Sequence, residues 1–187
     1  MGLDQYLYKK TYVKNWEHME PKQLHTITVK KGGKTVPHIK PERIKYITEE
    51  VAYWRKANQI HKWFVDNVQD GDDNCKEHYV ESSQLQTLLT LVNRIINKSE
   101  LVDGKIQNGY TFNDKNEKVY HMEDGKLLKN PTLAHKLLPT ADGFFFGGTN
   151  YDEYYMQDLI YTRDTLTALL ADDEEYNAGE FYYESSW

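Results

Sequence analysis

The apolar positions along this chain change their spacing from one segment to the next, and the spacing predicts the elements. Residues 3–13, LDQYLYKKTYV, mix aromatic and β-branched residues and read as a strand. In HTITVKKGGKTVPHI two β-prone runs flank Gly32-Gly33, the pair a tight hairpin turn requires. Pro37 then places the second run at a sheet edge. ERIKYITEEVAYW fits neither period cleanly and is read as helix through its first half, with the second half extended. From Trp54 a helical period sets in: Trp54, Ala57, His61, Phe64 and Val68 share one face.

The strongest amphipathic helix follows Ser83, with Leu85, Leu88, Leu89, Val92, Ile95 and Ile96 on one stripe and Ser83/Gln86 expected as its capping box. GKIQNGYTFND and EKVYHMEDGK predict a second, mostly polar hairpin, and Asn130-Pro131 a short helix ended by Pro139. Phe144 to Phe146 is expected as a short buried strand, and Gly147-Gly148 as a turn. Asn150 with Glu153 is expected to cap a last helix reaching Ala171. The fold expected is α+β, with antiparallel hairpins packed on about three main helices in one domain over residues 1–171.

Charge changes this picture at both ends. The 187 residues carry 23 basic and 29 acidic side chains, a net charge of −6. Ten bases face three acids between Lys9 and Lys45, whereas residues 172–187 hold acids and no base. That last stretch is expected to be an acidic aromatic tail with little structure of its own, flexible or docking through Phe181, Tyr182, Tyr183 and Trp187. There is one cysteine, Cys75, and no apolar run of about 20 residues. A cytoplasmic protein without membrane contact is expected.

Few residues offer chemistry. GFFFGGTN lacks the lysine and the spacing of a phosphate loop, and Asp152 and Glu153 would repel an anion at the following helix. Thr149, Tyr151, Asp152 and Tyr155 suit contact with hydroxyls or a base ring. Asn58 and His61 lie inward beside Trp54 and need partners. They either bond a neighbouring strand or loop, or line a pocket with Arg55 or Lys56 over its rim. Asp4, on the first strand, joins this candidate ligand site. No set of metal ligands can be nominated, and no cofactor is implied. The lysines around the Gly32-Gly33 turn protect an edge strand or contact nucleic acid.

MGLDQYLYKK, YWRKANQIHKWF and GFFFGGTNYDE resemble segments of a functionally unassigned family of small bacteriophage and prophage proteins. The resemblance implies an accessory protein in the host cytoplasm that occupies a host protein or sequesters a nucleotide-like ligand, in an anti-defence role. It supplies no reaction. Two alternatives stay open at this point. One is a small enzyme on nucleotides or phosphoesters using His61 and Asp152, and the other a nucleic-acid binder through hairpin 24–40.

Overall fold

The computed structural model describes residues 2–143, 146–171 and 179–187. In chain order the elements are β1 (Asp4–Tyr12), β2 (Lys30–Lys31), β3 (Lys34–Thr35), β4 (Tyr46–Arg55), α1 (Asn58–Asn67), β5 (His78–Val80) and α2 (Ser82–Ile96). Then come β6 (Leu101–Phe112), β7 (Lys118–Leu128), α3 (Thr132–Leu137), α4 (Glu153–Ala171) and β8 (Gly179–Ser186). The fold is α+β, as the periodicity predicts.

The main sheet is antiparallel throughout, in the order β4-β1-β8-β5. Its two central strands are therefore the first and last of the chain, with Asp4 opposite Ser186. Alternation decides what each strand buries. Gln5 and Leu7 of β1, Ala52 and Trp54 of β4, and Phe181, Tyr183 and Ser185 of β8 are all buried. Against this side lie the apolar stripes of α1, α2 and α4. Phe64 of α1 stacks on Tyr183 with centroids 3.9 Å apart and rings 8° from parallel. Leu85, Leu88, Val92 and Ile95 of α2 are fully enclosed, as are Leu159, Thr162 and Leu166 of α4.

Hairpin β6–β7 stands apart as its own ladder and buries little beyond Ile106 and Leu128. Its base is tied to the start of α4 and the residues before it: Leu128 N donates to Tyr151 O, and Lys126 N donates to Glu153 Oε1. The Gly32-Gly33 hairpin forms as expected, with φ values of 57° and 79° that glycine adopts freely. It is a two-stranded ladder of its own, however, and does not edge the main sheet.

Four expectations are corrected. The helix expected in the first half of 42–54 is absent, because Tyr46–Arg55 pairs along its length with β1 and sheet pairing overrides an ambiguous local pattern. Trp54 consequently lies on a strand, and the helix begins only at Asn58. Of the tail, residues 179–186 are not without structure but form β8, whose carboxylates point outward while Phe181 and Tyr183 enter the core, in line with the docking alternative; residues 172–178 lie outside the described residues. The caps differ too. Glu81 with Gln84 caps α2, and Asp152, not Asn150, caps α4 through Oδ1 bonds from the amides of Tyr154 and Tyr155. Phe146 is buried in irregular chain, not in a strand, and Phe144 and Phe145 lie outside the described residues.

Candidate functional site

A pocket of about 300 Å³ opens where the β4–α1 connection meets residues 140–158. Its walls have different charge. Arg55, Lys56 and Gln59 come from the connection and the start of α1, while Asp152, Tyr154, Tyr155, Gln157 and Asp158 come from the first turns of α4. Thr140, Gly147 and Gly148 close one side, and Gln107 of β6 another.

The backbone that shapes this pocket is strained at one point. Lys56 has φ 62°, a left-handed conformation that a long side chain adopts at a cost of about 1 kcal/mol or more. It is held there by bonds on both sides: its amide donates to Leu3 O at 2.7 Å, and its carbonyl accepts from Asn58 N at 2.8 Å. Gly147, at φ 94°, packs against it. A Cβ on Gly147 would lie 3.1 Å from Lys56 Cβ and 3.2 Å from Lys56 O. Gly147→Ala is therefore expected to cost about 1–3 kcal/mol by urea denaturation. Gly148→Ala, in open space at ordinary φ, should stay within about 0.5 kcal/mol.

Two carboxyls on α4 give the opposite wall its character. Asp158 accepts a hydrogen bond from Gln59 Nε2 at 3.0 Å. Burial raises its pKa to about 6, with the Gln59 bond opposing and the charge of Asp152 assisting. Burial also pushes Asp152 up, while its bonds from the α4 amides pull it down. Tyr155 reaches through the wall to donate to Leu138 O at 3.0 Å.

The residues singled out from sequence are distributed as follows. Arg55, Asp152 and Tyr155 line the pocket. Asn58 lies just behind it, 1% exposed: its Nδ2 donates to Phe146 O (3.1 Å) and Gly148 O (2.8 Å), and its Oδ1 accepts from Ala141 N (3.0 Å). It clamps the wall and does not present itself to a ligand. Tyr151 and Thr149 also belong to this clamp: Tyr151 OH accepts from Thr140 N and Thr149 O from Thr140 Oγ1.

The other three are elsewhere. Trp54 is in the core, donating from Nε1 to Thr162 Oγ1 at 2.8 Å. Asp4 faces the other side of the sheet and accepts from Tyr53 OH. His61 is 1% exposed, with Nδ1 2.9 Å from Tyr183 OH and Nε2 3.2 Å from Asp73 Oδ2. Burial lowers its pKa and Asp73 opposes the shift. Enclosed in this way, His61 is not among the residues that line the pocket with Asp152.

Gln59 and Asp158 line the pocket without having been singled out from the sequence. Asp158 had a signal, since it lies three residues after Tyr155 and four before Thr162, both on the inner stripe of α4. Lys56, a rim residue on the sequence reading, lies in the pocket lining, but nothing in its residue type signals its left-handed conformation. Among the described residues no cluster of three or more His, Cys, Asp or Glu side chains could hold a metal ion, and Cys75 is exposed. No helix among them is long and apolar enough to cross a membrane.

No family model, curated protein or solved structure matches this chain.

Proposed function

We propose that this is a small-ligand-binding protein whose pocket takes a nucleotide-like molecule. The observation that carries the reading is the segregation of charge across one cavity, with Arg55 and Lys56 on one wall and Asp152 and Asp158 on the other. Cations on one side suit a phosphate. The carboxyls opposite suit ribose hydroxyls, which donate hydrogen bonds. The amides of Gln107 and Gln157 both donate and accept, as a base edge demands, and the half-exposed ring of Tyr154 offers a stacking surface. The volume is at the small end for ligand pockets and suits a mononucleotide more than a larger ligand. In the phage setting implied by the resemblance, such binding would sequester a nucleotide signal.

A thermal-shift panel of nucleoside mono-, di- and cyclic phosphates tests this. A ligand present at about 100 times its Kd should add about 2.7 kcal/mol. That corresponds to a rise of roughly 5–10 °C in Tm for a chain of this size. The shift should vanish in the Arg55→Ser/Lys56→Ser double variant. No shift with any member of the panel would overturn the reading.

A further inference from the structure

The main sheet has a second face, and it is built unlike the first. Alternation that sends Leu7, Trp54 and Tyr183 into the core sends Tyr6, Tyr8, Tyr53 and Tyr182 outward. On the open side Tyr6 lies opposite Tyr53 and Tyr8 opposite Tyr182, while Tyr79 of β5 faces Tyr182 from the far strand. The rings fall into two groups in contact, Tyr53–Tyr6–Tyr8 and Tyr182–Tyr79, set side by side by the Tyr8–Tyr182 register. Tyr6 stacks on Tyr8 at 5.8 Å and 4°, Tyr6 tilts onto Tyr53 at 5.3 Å, and Tyr79 meets Tyr182 edge-on at 5.8 Å. Tyr53 is 38% and Tyr79 54% exposed, so this surface faces solvent.

Carboxylates frame the rings. Glu50 of β4 and Glu184 of β8 flank Tyr8, whose hydroxyl pKa is raised by burial and then by these two charges. Glu180 and Asp4 point the same way, the first accepting from Tyr182 OH and the second from Tyr53 OH. Two bases stand beside them, Arg55 opposite Asp4 at the Tyr53 end and Lys10 near Tyr182. Lys10 shows what the face accommodates, since its Nζ sits 4.3 Å from the centre of the Tyr182 ring while pairing with Glu77.

We propose that this tyrosine-covered, acid-framed sheet face docks an extended, arginine-rich segment of a partner protein. A guanidinium can lie flat on a tyrosine ring while its N–H groups reach a flanking carboxylate. An extended peptide puts alternate side chains on one side about 6.7 Å apart, a repeat comparable to that of the rings along β1. Charge decides against the other occupants of such a platform. Single-stranded nucleic acid also stacks on aromatic sheets, but its phosphates would meet Glu50 and Glu184. Two copies of the face pressed together would set those same carboxylates against each other.

The probe is a fluorescein-labelled dodecapeptide of alternating arginine and serine, titrated with the full chain at low ionic strength, with glutamate–serine and oligothymidine controls. We expect the arginine peptide to bind, to weaken as salt is raised, and to bind more tightly than its lysine counterpart. E50K/E184K should weaken it at least tenfold, and Tyr8→Leu about two- to fivefold, in proteins whose thermal melts show an intact fold. Ribonucleotide thermal shifts should be unaltered by either variant, so this proposal and the pocket reading fail separately. No binding of the arginine peptide overturns the proposal. So does equal binding to folded E50K/E184K, preferential binding of oligothymidine, or a wild-type dimer in sedimentation that E50K/E184K dissociates.

Discussion

Asn58→Ala is expected to lower stability by about 3–5 kcal/mol. Alanine would leave the carbonyls of Phe146 and Gly148 and the amide of Ala141 without the partners Asn58 supplies. Each unsatisfied buried group costs about 1–3 kcal/mol, and the cavity left by the amide adds to the loss. Asn58→Asp separates the two halves of this clamp. Its carboxylate can still accept from Ala141 N, but it turns oxygen toward two carbonyls. At pH 7 it should be at least as damaging as alanine, with partial recovery under acid conditions as the carboxyl protonates. Urea denaturation at pH 7 and pH 4 reads both effects. A loss below about 1 kcal/mol for Asn58→Ala would show that residues 141–148 hold their place without it.

Asp158→Asn is expected to stabilise the protein at neutral pH. The folded carboxyl is raised to about 6 from the 3.8 of a free aspartate side chain. The folded state therefore holds an extra proton between these values. The stability associated with this group is full below about pH 4 and is lost as pH rises through 6. By pH 7.5 the charged side chain costs on the order of 1–3 kcal/mol. Asparagine keeps the oxygen that accepts from Gln59 and removes the charge. Its Tm should exceed that of the wild type by roughly 2–10 °C at pH 7.5 and match it near pH 4. A difference independent of pH would show that the effect is not ionisation. A carboxylate kept at the expense of stability is what a binding site, selected for its ligand, is expected to contain.

The parts of this fold legible from sequence are those whose signal is local. Strand β1, helix α2 and the hairpins at Gly32-Gly33 and β6–β7 each combine a clear period with a turn or polar boundary. Strand β4 was hidden because Ile44, Tyr46, Ile47 and Val51 satisfy no single period, and only the long partner β1 settles the matter. Strand β8 was hidden by its charge. GEFYYESS alternates buried Phe181, Tyr183 and Ser185 with outward Glu180, Tyr182 and Glu184, but the preceding acids make it resemble a solvated tail. At the site, the inward positions of Asn58 and His61 were readable, as was their need for partners. Whether the partner would be a ligand or the protein depended on loop 141–148, Asp73 and Tyr183, remote in sequence from both.

The pairing of β1 with β8 also bears on how the chain folds. Asp4 must find Ser186 across nearly the whole polypeptide. The entropy of closing so long a loop is lost before any of the sheet's central contacts reward it. Helices α1, α2 and α4 can form while synthesis continues, but Phe64 lacks its stacking partner Tyr183 until the last strand arrives. Until then β1 can pair only with β4, and its other edge is open. Slow, sheet-limited refolding is the consequence, and a nascent chain that stalls before residue 179 would present β1 as a bare edge prone to aggregation.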